Sequence, residues 1–204
     1  MPEATRIIGT QLLIFLIFSA VFFTAIIAVM ITFVIRYRRS RHPVPADISG
    51  NPLLEALWIA IPVLLVLGMF TIGLRGYLFM RHPPAGAMEV KVVAFQFGWE
   101  FEYPNGAKEA ELTVPAGKAI VLRLTSMDVI HSFFVPDFLI KQDAVPAMTT
   151  TLWFEAPEPG EHDVLCAEYC GVGHSDMLTK LRVIPQVDFD AWYKEEEAKE
   201  APKN

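Results

Sequence analysis

From Ile7 to Ile35 no side chain is charged. The middle of that run, LLIFLIFSAVFFTAIIAVMITFVI, is longer than the roughly 20 residues a helix needs to cross a bilayer, and it constrains the chain more than any other feature. A secretory leader would carry a shorter apolar stretch, about 7–15 residues, between a basic start and a small-residue cleavage site. The opening MPEATR is hardly basic and the run is too long, so it reads as an uncleaved spanning helix over about residues 7–35. A second uncharged run, Ala56–Leu74, lies between Glu55 and Arg75 and predicts a helix over about residues 55–78. Asn51 can cap its start, Pro52 suits the first helical position, and Pro62 inside it predicts a kink. Burial of both helices in a soluble core is the competing reading, and the length of the two runs counts against it.

The remainder has a different character. Of all residues 53% are hydrophobic and mean hydropathy is +0.37, yet 20% are charged; this is too apolar for an ordinary soluble domain and too charged for spans alone. Residues 1–88 hold seven Arg against Glu3, Asp47 and Glu55, a net of +4. Residues 89–204 hold ten Lys or Arg against twenty Asp or Glu, a net of −10. The two parts therefore live in different surroundings: a basic anchor over 1–88, an acidic domain over 89–187 long enough to bury its own core, and a charged tail over 188–204. The connector 36–50 holds Arg36, Arg38, Arg39 and Arg41, against Arg6 alone in the N-terminal tail. Positive connectors stay in the cytoplasm, which predicts a chain in the cell's inner membrane with both termini and the acidic domain on the outer, periplasmic side. An acidic domain offers no footing for nucleic acid.

Beyond HPPAGA, short β-rich segments follow one another at Val90–Phe95, Ala119–Thr125, Ser132–Val135, Thr149–Phe154, His162–Cys166 and Leu178–Ile184. Turn signals separate them: Pro104-Asn105-Gly106, Pro115-Ala116-Gly117 and Pro157-Glu158-Pro159-Gly160. Many short strands at close spacing predict a sandwich or small barrel. The segment Asp188–Lys199 predicts one surface helix.

Two thiols, an imidazole and a thioether fall within twelve residues in Cys166-Ala-Glu-Tyr-Cys170-Gly-Val-Gly-His174-Ser-Asp-Met177. Glycines at 171 and 173 let this loop fold tightly enough to turn several side chains inward. His131, in VIHSFFVP, can reach the same end of a sandwich from another strand. A disulfide between the cysteines leaves His174 and Met177 unexplained. Zinc uses Cys and His but not a thioether, and a mononuclear blue-copper site leaves one cysteine spare. Two coppers, bridged by both thiolates and each completed by one histidine, use the whole set.

Cys-x-Glu-x-Cys-x-x-x-His-x-x-Met, preceded by IHSFFVP and KQDAVP, resembles subunit II of the cytochrome c oxidases over nearly the whole chain. The resemblance implies two spanning helices and a cupredoxin-like sandwich holding the binuclear CuA centre. Cys166 and Cys170 would bridge two coppers, with His131 and His174 each on one, Met177 on one, and the backbone carbonyl of Glu168 on the other. The side chain of Glu168 would face a magnesium or manganese site shared with subunit I. Asn51–Pro62 is similar to the start of the family's second helix, where the glutamate matched by Glu55 lies at the mouth of a proton path; the competing role for Glu55 is to favour the helix dipole. AFQFGWEFEY, residues 94–103, is similar to the aromatic patch where electrons come in, with Phe97 in place of the usual first tryptophan and Trp99 matching the second.

The family reading implies a subunit that accepts electrons from a c-type cytochrome or a neighbouring respiratory complex. It passes them to haem in subunit I, with subunit III alongside, where oxygen becomes water and protons are translocated. No Cys-x-x-Cys-His occurs, so no c-type haem is expected on this chain. A membrane-anchored copper chaperone is the alternative from another class; it has no need of His174 and Met177. A quinol-oxidase subunit would lack these copper ligands, and a nitrous-oxide reductase would add a much larger domain.

Overall fold

A computed structural model of the chain describes residues 3–44, 46–47 and 49–200, with side chains for residues 5–199 among them. The two uncharged runs form α1 (Glu3–Arg36) and α2 (Pro52–Arg81). Asn51 caps α2 as expected, its Oδ1 accepting from the N–H groups of Leu53 (3.1 Å) and Leu54 (3.2 Å). Pro62 lies inside α2 without ending it, and Arg36 and Arg81 occupy the two last turns, where cations complement the helix dipole. Both helices expose large apolar side chains on every side, as spanning helices do. Residues 9–76 form one compact unit. Within it, Gln11 Nε2 donates to the Ile72 carbonyl at 2.9 Å, and Gly76 leaves the room that the Gln11 side chain needs, since a Cβ there would lie 2.6 Å from Nε2.

The second compact unit takes in the described residues up to Ile8 together with those from Tyr77 onward. Its strands are β1 (Met88–Phe95), β2 (Gly98–Glu102), β3 (Lys108–Glu109), β4 (Leu112–Pro115), β5 (Ala119–Ser126), β6 (His131–Val135), β7 (Ile140–Ala144), β8 (Thr150–Glu155), β9 (Gly160–Cys166) and β10 (Leu178–Ile184), followed by α3 (Gln186–Glu200). They make two five-stranded sheets, ordered β3-β2-β1-β5-β8 and β4-β10-β9-β6-β7. The β1–β5 and β4–β10 pairs are parallel, which a run of hairpins cannot produce. Inward residues of the two sheets, among them Val90, Val92, Phe101, Leu122, Phe133, Val164 and Leu181, form one core. Tyr103 pins its edge: its hydroxyl donates to the Thr113 carbonyl and accepts from the Thr113 N–H, at 2.9 and 2.7 Å. The tail helix begins two residues earlier than predicted and packs Trp192 edge-on against Tyr103, with ring centroids 5.1 Å apart. Residues 201–204 of the expected tail lie outside the described residues.

Five of the six predicted strand segments fall within a strand, and the sixth, Thr149–Phe154, starts one residue before β8. The sandwich also contains β2, β3, β4 and β7, which the sequence reading did not include. Strand β4 is too short and too evenly buried to show alternation. Strand β7 carries Lys141, Gln142 and Asp143 in a row and is held by its register against β6, His131 opposite Ala144 and Val135 opposite Ile140.

Candidate metal centre

The sheet built from β6, β9 and β10 sets the site. Phe133 in β6 stands opposite Cys166 at the end of β9, and the Ala167 N–H bonds the Ser132 carbonyl at 2.9 Å. That register brings His131, at the start of β6, beside the loop leaving β9. The loop closes where Leu178 pairs Leu165 and the Cys166 N–H reaches the Met177 carbonyl at 3.2 Å. Between these points a short 3₁₀ turn, His174–Asp176, folds His174 back toward Cys170.

Six sequence-predicted groups converge. The sulfurs of Cys166 and Cys170 are 3.8 Å apart and unbonded. His131 Nδ1 lies 3.2 Å from Met177 Sδ and 3.9 Å from Cys166 Sγ. His174 Nδ1 lies 3.6 Å from Cys170 Sγ, and Met177 Sδ lies 3.8 Å from the same sulfur. The Glu168 carbonyl is 3.3 Å from Cys166 Sγ. Ligand atoms of His131, Cys166 and Cys170 all lie within 4.8 Å of one another, and His174 stands outside that group. The donor set is therefore elongated, with one imidazole at each end of a sulfur pair. His131 and Met177 are fully buried and the cysteines nearly so. Burial pushes the Cys170 thiol up to about 11, and the neighbouring Cys166 adds to the shift. Metal-free Cys170 is therefore a thiol, and a soft cation that takes its thiolate offsets that penalty. Two thiolates, imidazole and thioether are soft and borderline donors suited to copper.

Asp128 and Gln96 also belong to the site, and the sequence reading passed over both. Asp128 Oδ1 faces His131 Nε2 at 2.8 Å and fixes which ring nitrogen looks at the sulfurs. Burial opposes the charge on Asp128. Hydrogen bonds from His131 and from the backbone N–H groups of Val129 and Gln96 outweigh it and hold its pKa down at about 2. Gln96 Nε2 donates to the Cys170 carbonyl at 2.6 Å. An aspartate three residues before a histidine, at the end of a strand, is the sequence trace of the first. The second leaves none, because 74 residues separate the partners.

The aromatic segment divides in two. Phe97 is 38% exposed and its ring lies over the loop glycines, so a Cβ at Gly173 would come within 2.6 Å of it. Gly171 has φ +139, a backbone that L side chains rarely adopt. Trp99 is buried behind the site, edge-on to Phe133 and to His131 at centroid distances of 5.6 and 6.2 Å. Glu55 sits in the first turn of α2, in the helical unit.

Comparison with known proteins identifies the family and supports the fold. The family model "Cytochrome C oxidase subunit II, periplasmic domain" matches residues 106–184, and "Cytochrome C oxidase subunit II, transmembrane domain" matches residues 2–75. The chain belongs to the cytochrome c oxidase subunit II family. Cytochrome c oxidase subunit 2 of Alkalihalophilus pseudofirmus is 32% identical across 94% of this chain, which spans 58% of that relative's length. Heme-copper oxidase subunit 2 of Aeropyrum pernix is 34% identical, covering 86% of this chain and 85% of the relative. The solved periplasmic domain of subunit II from Bradyrhizobium japonicum superimposes with a TM-score of 0.56 at 28% identity, covering 59% of this chain and all of that one. The sandwich is thus the cupredoxin-like fold of this family, the two apolar helices fit a membrane location, and the histidine and cysteines fit a copper site.

Proposed function

We propose that this chain is the electron-accepting subunit of a terminal oxidase. It would take electrons from an external donor and hand them to haem in subunit I, in a complex that reduces oxygen and translocates protons. The observation that carries the reading is the elongated donor set, an imidazole at each end of a sulfur pair 3.8 Å apart. Cys166 and Cys170 would bridge two coppers, His131 and Met177 would complete one, and His174 with the Glu168 carbonyl the other. When bound, the copper pair supplies a one-electron carrier. The protein's part is to hold the donors still. Asp128 locks the His131 ring, Gln96 ties the Cys170 backbone, and burial keeps water from the thiolates. A cage that moves little favours transfer without rearrangement.

Phe97, exposed at the loop, is the proposed contact for a donor, a c-type cytochrome or a neighbouring complex, and Trp99 packs behind it. The exposed Glu168 side chain is free to face a magnesium or manganese site shared with subunit I, and subunit III completes the assembly. Glu55, at the end of α2 nearest the arginine-rich connector, is the proposed proton-uptake residue, since a carboxylate there is costly in hydrocarbon without water or a partner. The positive charge of the connector supports a cytoplasmic position for that end and a periplasmic one for the β domain. In the assembled oxidase, Cys170→Ser should abolish haem reduction by the protein donor while a small chemical reductant still reduces the haem. Undiminished haem reduction by the donor would refute the role.

A further inference from the structure

Phe22, Ala25, Ile26, Val29 and Met30 line an apolar groove of about 390 Å³ on α1. Their spacing puts them on one helix face. The same spacing runs on through Phe33 to Arg36, seven residues after Val29, and Tyr37, seven after Met30. The Phe33 and Tyr37 rings meet edge-on at 5.7 Å, and the Arg36 guanidinium lies 6.0 Å from the Tyr37 centroid. Beyond them the chain turns tightly, with the N–H groups of Arg41 and His42 both on the Arg38 carbonyl. This gathers Arg36, Arg38, Arg39 and Arg41 at the end of the groove-bearing helix. All four are exposed, and among the described residues none has a carboxylate partner.

We infer that this face of α1 binds a phospholipid with an anionic headgroup, an acyl chain lying in the groove and the phosphate held by the arginines. The inference rests on reading α1 as a spanning helix. At about 1.5 Å per residue the part of the groove lined by Ile26, Val29 and Met30 lies about 9–15 Å from Arg36, within the depth that the acyl chains of a leaflet about 15 Å thick occupy. Arginines that served orientation alone would need only their number; here one of them continues the groove's own stripe and the rest stand unpaired beside it. A partner helix could cover the stripe, but it would leave the guanidinium groups unanswered, whereas one lipid meets both needs.

The test uses the full chain in nanodiscs of equimolar phosphatidylglycerol and phosphatidylcholine, followed by native mass spectrometry of the lipids that stay bound. The wild type should retain phosphatidylglycerol preferentially. R38Q/R39Q should lower that preference by about fivefold per arginine, and A25F, which fills the groove, should lower the amount of lipid retained. Soluble glycerol phosphate should not displace it. Equal retention of the two lipids, retention unchanged in both variants, or displacement by glycerol phosphate would overturn the proposal. So would an A25F oxidase that sheds its partner subunit yet keeps its phosphatidylglycerol, because the stripe would then be a protein interface.

Discussion

Replacing Asp128 by Asn tests how the site is held. The carboxylate bonds His131 Nε2 at 2.8 Å, and it also accepts from the Gln96 N–H at 2.7 Å and the Val129 N–H at 2.6 Å. An amide has one acceptor oxygen, so its NH₂ must turn toward one of these donors. A pKa held at about 2 against an ordinary 3.8 corresponds to at most about 2.4 kcal/mol. With the side chain 30% exposed, about 1–2 kcal/mol is a fair share after solvent screening. His131 is fully buried, so a ring N–H left unpaired costs a similar amount. The sign follows from the lowered pKa: this stability is present above about pH 3.8 and lost as pH falls through about 2. Urea unfolding of the metal-free protein at pH 7 should show the variant weaker by that 1–2 kcal/mol, with the gap closing in acid. Copper affinity, measured by chelator competition, should fall about 10–100-fold, as when other outer partners of metal-bound histidines are removed. Unchanged affinity together with a pH-independent stability gap would refute the claim that Asp128 orients His131.

Gly173→Ala should lower the melting temperature by several degrees, corresponding to about 1–2 kcal/mol of overpacking, because its Cβ would sit 2.6–3.0 Å from the Phe97 ring; an unchanged melting temperature would show that the ring yields freely. Glu109→Gln should raise stability at neutral pH. Burial, and then the nearby Glu196 carboxylate, raise the Glu109 pKa above its ordinary 4.5, so the folded state prefers the protonated form and the penalty at neutral pH fades as pH falls toward 4.5. A variant destabilised at pH 7, or a gain that persists in acid, would contradict this.

What the sequence discloses depends on how far each role reaches along the chain. The spanning helices are local, since an uncharged run is complete in itself, and the Asn51 cap acts within three residues. Cys166, Glu168, Cys170, His174 and Met177 fall within twelve residues, so the motif that groups them is complete in one stretch of sequence. Asp128 lies only three residues from His131, whereas the Gln96 contact with Cys170 and the packing of Phe97 over Gly171 and Gly173 exist only once β1 and β9 are assembled. Trp99 shows the same limit. In a string of aromatic residues nothing distinguishes the ring that packs behind the site from the one that covers it, because Trp99 stands in β2 while Phe97 lies in the turn before that strand, and the folded turn sets where its ring points. Strands β4 and β7 were hidden for a related reason: one is buried on both sides and the other is mostly polar, so neither shows a two-residue period.

The central claim is that the donors hold two metals and not one. Copper analysis and EPR of the purified full chain test it most directly. Two coppers per chain sharing one unpaired electron are predicted. One copper per chain with a four-line hyperfine pattern would contradict the account.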